Sequence, residues 1–477
     1  MSSPPEKKQI KDRARSIEIL GVFAKHNYYV NGFTPSELRT TLEDLGPTYV
    51  KIGQIMSSRT DILPESYCRE LEKLRSDVKP FPASEARRVI EEETGQKIED
   101  LYSEFRDEPL GSASIAQAHY GVLKDGTRVV TKVQRPKIAS MMRRDFAMLK
   151  KLANAVNIAG EADDETQVVD LKAVISELEK VSNEELDFRI EANNTRTFKE
   201  LCIEDEKVIF CPTIIDELST ERILTMTYVD GYSVVQKDRI IADGYSCENI
   251  AGAIIENYMH QVLDVGTFHG DPHQGNILIS DGVPCWIDFG MIGHVSESNI
   301  AGLQGIILSL VQKDCEALAD AALSMGIVKG EVNKTRLMED IDAMLGRYAS
   351  AKSLADMDIG KLMTDMTSLF GKHGIAMPSE YTMLVRSLVT IEGVLESLCP
   401  ELNLFDFLAK KMTERMKETF DAQAKIQELI TQIGATGMRT AKLPSMVFDV
   451  LRNLVKGRVK INFGSQATTT CLKASTH

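Results

Sequence analysis

The sequence predicts an α+β chain with a helical N-terminal extension, a small strand-containing unit and a long, mostly helical unit. Helix starts and stops recur through the first hundred residues, and strand patterns with hairpin-turn residues follow. From residue 295 to residue 425 the pattern is helical again. With 477 residues, 43% of them apolar, the chain is long enough for two or three packed domains. The predicted domains are 1–105, 106–231, 232–425 and 426–477.

Short-range signals define the helices of the extension. The run Thr34–Glu37 combines a capping threonine, a proline in the first turn and a glutamate that completes a capping box. Gly46 is expected to end that helix. Pro64 and Pro82 each open a further predicted helix, and Gly95 is expected to end the last one.

The second unit begins with a predicted hairpin. Residues 118–133 form two strand patterns joined at Asp125-Gly126, a common hairpin turn. Residues 137–200 are predicted to be helical, and 208–229 to contain strands. A predicted helix at 247–265 then leads into the densest motif of the sequence.

Composition excludes several classes of protein. The net charge of −14 argues against a nucleic-acid binder, because neutralising phosphates requires a basic surface. The eight cysteines include no CxxC pair, so zinc-ribbon and thioredoxin-like sites are not expected, and a reducing compartment such as the cytoplasm is favoured. Neither a secretory signal nor a run of 18 apolar residues is found. The sequence does not indicate an oligomeric state.

The densest motif is Phe268–Asn276, which precedes an apolar strand, and Asp288-Phe289-Gly290 follows the next strand. An aspartate, an asparagine five residues later and then this DFG triplet is the pattern of kinase-like catalytic sites. Asp288 and Asn276 offer hard oxygen ligands that suit Mg²⁺. Asp271 is placed to act as a base or to orient a hydroxyl acceptor. An alternative from the residues alone is a metal cluster of His269, Asp271 and His273.

A lysine on a strand should complete such a site. Lys132 lies among β-branched residues, as expected of a buried strand lysine. A buried ammonium group requires an acidic partner, and Glu191 is the candidate. The alternative is that Lys132 is exposed on its strand.

The segment before this lysine contains no GxGxxG loop. It contains an alanine-rich sequence, PLGSASIAQAH, followed by VVTKVQRP. Together with KIGQ at 51–54, ELD at 185–187 and HGDPHQGN at 269–276, these motifs resemble the UbiB/AarF (ADCK) family of atypical kinases over roughly residues 10–425. Two positions depart from the family pattern, Gly270 for the usual alanine and Gln274 for the usual proline.

The resemblance implies a two-lobed protein-kinase-like fold, with ATP and Mg²⁺ as cofactors. Lys132 would contact the nucleotide phosphates and pair with Glu191, Asp271 would take the catalytic position, and Asn276 with Asp288 would hold the metal. The residues implied to cover the nucleotide are Leu110, Gly111, Ser112, Ala113, Ser114, Ile115, Ala116, Gln117 and Ala118.

The KIGQ helix has an implied regulatory role. Lys51 and Gln54 would lie over the site near Glu185 and Asp187 and would block a protein substrate. On the residues alone, Lys51 and Gln54 are simply a solvated helix face. The resemblance implies an ATPase or a phosphotransferase acting on a small lipid, with an isoprenoid-quinone precursor as the class of partner. Nothing in the sequence resembles a flavin or iron site.

Two competing functions stay open at this point. Small-molecule phosphotransferases of the aminoglycoside or choline kinase type also carry an HGDxHxGN loop, and Gly270 fits that pattern. The alanine-rich loop and KIGQ argue against this alternative. A non-catalytic nucleotide- or lipid-binding scaffold would require most of the same side chains.

The C-terminal segment predicts a membrane contact. Leu443, Val447 and Leu454 belong to an apolar helical stripe with basic residues around it. Such a segment can attach peripherally to an anionic bilayer, here the inner face of the cell membrane. The alternative is a helix packed on the kinase body. The remaining tail is polar.

Overall fold

The computed structural model describes residues 34–57, 59, 62–74, 79–160, 171–202, 208–328, 330–349, 359–377, 379–400 and 402, with isolated positions at 15, 19, 21, 22, 407 and 410. The chain divides into two units, Met1–Phe405 and Asp406–His477, and every element below belongs to the first. The predicted membrane segment at 439–477 lies outside the described residues.

The extension contains α1 (Pro35–Leu45), α2 (Pro47–Met56), α3 (Glu65–Leu71), α4 (Ala83–Thr94) and α5 (Ile98–Leu101). Of these, α1, α3 and α4 begin where the sequence predicts, directly after Thr34, Pro64 and Pro82. The Thr34 hydroxyl accepts the Glu37 amide, and the Glu37 carboxylate accepts the Thr34 amide, so the capping box is present. Gly46 has a φ of 97°, which a residue with a side chain rarely adopts, and α1 ends there as predicted.

An antiparallel sheet forms the small lobe. Its strands are β1 (Tyr102–Phe105), β2 (Gly111–Ser112), β3 (Ala116–Leu123), β4 (Arg128–Gln134) and β5 (Ile223–Thr227). They run in the order β1–β3–β4–β5, and β2 pairs with β3. The first strand begins four residues before the predicted unit boundary at 106, because Tyr102 packs beneath the sheet in the same core as α4. The hairpin turn at Gly126 is confirmed, with a φ of 89°.

Between β4 and β5, the described residues form three α-helices. They are α6 (Ile138–Gly160), α7 (Leu171–Glu185) and α8 (Phe188–Cys202). The extension docks on this layer, since Tyr49 and Ile52 of α2 share a core cluster with Met142 and Phe146 of α6. The predicted strand region at 208–229 is only partly correct. It yields β5, a short 3₁₀ turn and two isolated bridges.

Among the described residues, the large lobe combines helices with short strands that form three small sheets. Its elements are β6 (Tyr232–Ser233), α9 (Lys237–Ala242), α10 (Cys247–His260), β7 (Thr267–His269), β8 (Ile277–Ser280), β9 (Val283–Trp286), β10 (Ile292–His294), α11 (Glu297–Gln312), α12 (Cys315–Met325), β11 (Ile327–Val328), α13 (Lys334–Ala349), α14 (Ile359–Lys372), β12 (Ile375–Ala376) and α15 (Ser379–Leu398). The helix predicted at 247–265 changes to a π-helical turn after His260.

The architecture is an α+β fold with two lobes and a helical extension, as the sequence predicts. Among the described residues, no helix combines the length and the apolar character needed to cross a bilayer.

Candidate active site

One lysine joins the two lobes at the candidate site. The Lys132 ammonium group on β4 donates to Glu191 at 2.5 Å and to Asp288 at 2.8 Å. Glu191 comes from the first turn of α8, and Asp288 follows β9 in the large lobe. The predicted partnership of Lys132 and Glu191 is therefore present. The alternative of an exposed lysine is wrong, because the Lys132 side chain is only 18% exposed.

Charge balance holds this cluster together. Burial alone would lower the pKa of Lys132, but the carboxylates of Asp288 and Glu191 raise it above its ordinary value. Burial alone would likewise raise the pKa of Asp288, but Lys132 and the Gly290 amide hold it well below its usual range. Burial raises the pKa of Glu191 against the opposing effect of Lys132. Lys132 is therefore a cation and Asp288 an anion at neutral pH.

A hairpin brings the two candidate metal ligands to one place. Strands β8 and β9 pair so that Ile277 faces Trp286, and Asn276 and Asp288 lie just beyond this open end. The Ile287 amide donates to the Asn276 carbonyl oxygen at 3.1 Å, which continues the pairing towards Asp288. The hydrogen-bonding of antiparallel strands thus sets the spacing that the motif requires.

The loop of Asp271 is tied to the same hairpin. The Asn276 side-chain amide donates to the Asp271 carbonyl oxygen at 3.1 Å. The Asp271 carboxylate is 36% exposed, and the guanidinium group of Arg386 lies 3.9 Å away. Asp271 is thus fixed through its backbone, while its carboxylate stays partly exposed to solvent.

His269 supports the loop from below. Its ring is 1% exposed, lies 5.1 Å from the Trp286 ring and 5.5 Å from the Phe289 ring, and its Nδ1 accepts the Asp271 amide at 3.2 Å. Burial lowers the pKa of His269 to about 4. Within the described part of the chain, its Nε2 makes no hydrogen bond of good geometry. The nearby backbone of Asp288 raises the pKa of His269 and so partly opposes the effect of burial.

The alternative metal cluster is not supported. Within the residues that the structure describes, no group of three or more histidine, cysteine, aspartate or glutamate side chains is arranged to hold a metal. His269 is buried among aromatic rings, and the His273 Nδ1 accepts the Gly275 amide at 2.9 Å. These histidines shape the loop.

The alanine-rich loop folds as a tight hairpin. Gly111 pairs with Ala118, which in turn pairs with Lys132, so β2 lies two strands from the lysine. The Ala113 amide donates to the Ala116 carbonyl oxygen at 2.7 Å. Ile115 packs against the core cluster shared by α2 and α6. The loop is therefore anchored at its tip as well as at its strands.

The KIGQ helix meets the site region through one ion pair. Lys51 of α2 pairs with Glu185 at the end of α7, and both side chains are about 15% exposed. The other two predicted residues bond elsewhere. Gln54 donates to the Leu74 carbonyl oxygen at 3.4 Å, and Asp187 pairs with Arg189 at 2.7 Å. The structure therefore pairs Lys51 with Glu185, whereas Gln54 and Asp187 make their hydrogen bonds with other residues.

Two supporting residues, Asn194 and Ser387, were not anticipated from the sequence. Asn194, one turn after Glu191 on α8, donates to the Phe289 carbonyl oxygen at 2.9 Å. Ser387 of α15 donates to the Gly270 carbonyl oxygen at 2.9 Å. The only sequence signal for Asn194 was its position on the helix of Glu191. For Ser387 no local signal exists, because it lies 117 residues from its partner.

Gly270, one of the two departures from the family pattern, has a packing reason. A Cβ atom built there would lie 2.9 Å from Met291 Cγ and 3.2 Å from Met383 Sδ of α15. Such distances force the neighbours to shift. The small residue lets α15 pack directly against the loop that carries Asp271.

Comparison with known proteins identifies the family. Residues 73–322 match the model of the ABC1 atypical kinase-like domain, and residues 341–403 match the UbiB helical domain. A Clostridium pasteurianum protein from the hydrogenase 1 5′ region is 35% identical over 94% of this chain and 85% of its own length. The chain belongs to the ABC1 atypical kinase-like family.

Two other relatives are a bacterial UbiB protein and a chloroplastic plant protein. The probable protein kinase UbiB of Azotobacter vinelandii is 30% identical over 83% of this chain and 74% of its own length. The chloroplastic ACTIVITY OF BC1 COMPLEX KINASE 1 protein of Arabidopsis thaliana is 28% identical over 84% of this chain, which spans 58% of that protein. The chain is thus related to both UbiB and chloroplast members.

A solved structure supports the fold of this ABC1-family chain. The Rv3197–erythromycin complex from Mycobacterium tuberculosis is similar over 75% of this chain and 90% of that chain. The TM-score is 0.51 and the sequence identity is 24%, so the likeness concerns the fold.

Proposed function

We propose that this chain is a Mg²⁺-dependent, ATP-binding atypical kinase that acts as an ATPase or as a phosphotransferase on a small lipid. The observation that carries the proposal is the bonding of Lys132 to both Glu191 and Asp288 across the two lobes. A lysine–glutamate pair and a DFG aspartate at one point are what kinase-like phosphoryl transfer requires. The family match favours this function over aminoglycoside or choline kinase activity.

The donor atoms at the site fit Mg²⁺. Asp288 would supply a carboxylate and Asn276 a carboxamide oxygen, both of which are hard ligands. Asp288 is 41% exposed, so its carboxylate can reach a metal as well as Lys132. When bound, Mg²⁺ would neutralise charge on the nucleotide phosphates.

The protein groups divide the work by charge and exposure. Lys132 is a fixed cation at the junction of the lobes and would bind the phosphates while Glu191 holds it in place. Asp271 is open to the acceptor and would orient a hydroxyl group and take its proton. Asn276 fixes the Asp271 backbone, so loss of the amide should displace the base as well as a metal ligand.

A small acceptor is favoured by the position of the extension. The Lys51–Glu185 pair and the cluster of α2 with α6 keep helix α2 against the layer that carries α8. We infer that this arrangement excludes a polypeptide substrate. The UbiB relative makes an isoprenoid-quinone precursor, or another small lipid, the substrate class to test first. We further propose that the protein supports quinone biosynthesis or lipid homeostasis, and that it acts in the cytoplasm at an anionic membrane surface.

The decisive experiment compares Asp288→Asn with wild type. Asparagine keeps the shape but removes the anionic ligand, so Mg²⁺-dependent ATP binding and phosphate release should both fall at least tenfold, about 1.4 kcal/mol in binding. Asp230→Asn is the control, because Asp230 is 70% exposed and pairs with Arg128.

Each outcome has a clear meaning. Unchanged binding and turnover in Asp288→Asn contradict the site assignment. Wild-type binding without any phosphate release, with or without a phenolic isoprenoid headgroup, supports the non-catalytic scaffold instead.

A further inference from the structure

Arg135 follows directly after strand β4 and contacts the alanine-rich loop through its guanidinium group and its backbone amide. Its Nε donates to the Ala113 carbonyl oxygen at 2.8 Å, and its Nη2 donates to the Ser112 hydroxyl at 2.7 Å. Its backbone amide donates to the Ile115 carbonyl oxygen at 2.8 Å. Arg135 therefore makes hydrogen bonds to three residues of the loop, and the two from its guanidinium group have the short distances typical of charged donors.

The same guanidinium group reaches a second segment. Nη2 also donates to the Lys79 carbonyl oxygen at 3.1 Å, and the guanidinium carbon lies 5.5 Å from the centre of the Phe81 ring. Residues 79–81 follow the N-terminal helices and lead into α4. Arg135 thus links the extension side of the chain to the alanine-rich loop.

Gln117 makes a parallel link one strand away. Its side chain is 2% exposed, donates to the Phe81 carbonyl oxygen at 3.2 Å and accepts the Phe81 amide at 3.1 Å. Gln117 pairs with Ser112 on β2 and with Val133 on β4. The loop is therefore held to residues 79–81 at two points.

The backbone of the loop tip depends on these contacts. The Ala113 amide is bonded within the hairpin and its carbonyl oxygen is bonded to Arg135. Loss of the guanidinium group would leave the Ala113 carbonyl oxygen and the Ser112 hydroxyl without this donor. Because β2 has only two residues, strand pairing contributes little here, and the bonds from Arg135 add to the anchoring that Ile115 and Gln117 provide.

We propose that Arg135 is a positioning residue that sets the place of the alanine-rich loop by tying it to residues 79–81, and so controls nucleotide affinity. The assignment rests on the proposed function for its effect on nucleotide, whereas the tie itself is a property of the free protein. A planar guanidinium group can serve the Ala113 carbonyl, the Ser112 hydroxyl and the Lys79 carbonyl together, and a lysine ammonium group lacks this fork.

The first test needs no nucleotide. Hydrogen exchange on the full chain should be faster at residues 110–116 in Arg135→Gln than in wild type, because the loop loses its tie. Arg128→Gln is the matched control. Arg128 lies at the other end of β4, is 53% exposed and pairs with Asp230. Equal exchange in Arg135→Gln and wild type overturns the proposal.

The second test measures Mg·ATP affinity by calorimetry. Steady-state kinetics of phosphate release then give KM and kcat separately. Arg135→Gln should weaken binding by about tenfold, the size expected from lost charged hydrogen bonds, with kcat within about twofold of wild type. Arg135→Lys should recover only part of the affinity. Ser112→Ala should add nothing to Arg135→Gln, because the hydroxyl acts through Arg135.

Two results would contradict the effect on nucleotide. One is equal affinity in Arg135→Gln and Arg128→Gln, and the other is full independence of the Ser112 and Arg135 effects. If Arg135→Gln does not fold, Arg135→Lys and Ser112→Ala carry the same comparison. A wild-type chain that binds no Mg·ATP overturns the proposed function, and the exchange experiment still decides whether the tie exists.

Discussion

The buried His269 offers a direct test of how the loop that carries Asp271 is supported. Burial among aromatic rings lowers its pKa to about 4, against an ordinary value of 6.5. The folded chain therefore takes up this proton less readily than the unfolded chain does. Its contribution to stability is complete above pH 6.5 and is lost as the pH falls towards 4.

The magnitude follows from the two pKa values. Because the ring is only 1% exposed, solvent does not screen its charge, and the full difference in pKa contributes to the unfolding free energy. Lowering the pH from 7 to 4 should cost about 3 kcal/mol of unfolding free energy through this residue alone. His269→Gln should lose stability at neutral pH, since the aromatic packing is removed, but its dependence on pH should be shallower by that amount.

The chain carries a natural reporter for this titration. Trp286 is the only tryptophan, is fully buried and has its ring centre 5.1 Å from that of His269. A protonated imidazole quenches indole emission at such a distance. Fluorescence should therefore change with a midpoint near pH 4, and urea unfolding of both forms between pH 4 and 7 should give the slopes.

Two observations would refute this reasoning. A Trp286 emission change with its midpoint near pH 6.5, while near-ultraviolet circular dichroism shows the chain folded, would mean that water reaches the ring. Parallel stability curves for wild type and His269→Gln would show that the proton is bound equally in both states.

Three further predictions concern the extension, the loop and the C-terminus. Lys51→Ala leaves the partly buried Glu185 without its cation, so we expect the unfolding free energy to fall by about 1–2 kcal/mol and the Tm to decrease. The exposed control Lys180→Ala should not change the Tm, and equal Tm values for the two variants would contradict the role of the pair. Ala113→Gly should loosen the loop by about 0.5–1 kcal/mol and change the ATP/ADP preference, and identical affinities for both nucleotides in both forms would show that the loop does not cover the phosphates. Deletion of 439–477 should abolish low-salt binding to anionic liposomes in sedimentation; equal pelleting of full and deleted chains would place the contact elsewhere.

Local chemistry made much of the fold predictable. The helix starts at Thr34 and Pro82 and the turn at Gly126 each depend on a few neighbouring residues, and all are present as predicted. The β1 strand was missed because Tyr102 is placed there by burial against α4, which no local pattern records.

The candidate site divides in the same way. Asn276 and Asp288 are brought together by one hairpin, and Asp271 is tied to that hairpin by Asn276. These contacts join residues that are close in the sequence. The pairing of Lys132 with Glu191 spans 59 residues and was predicted because a buried ammonium group requires a carboxylate. Gln54 and Asp187 were placed by resemblance alone, and their hydrogen bonds lead to other partners.

The sequence by itself determined the types and spacing of the side chains at the candidate site, because the metal ligands, cation and base of the proposed phosphoryl transfer are chemical requirements that residue types reveal. Tertiary structure alone decided what positions them. Asp288 reaches Lys132 across 156 residues, and Ser387 reaches Gly270 across 117. Such partners are selected by the packing of whole helices and sheets, and propensities that act over a few residues cannot specify that packing.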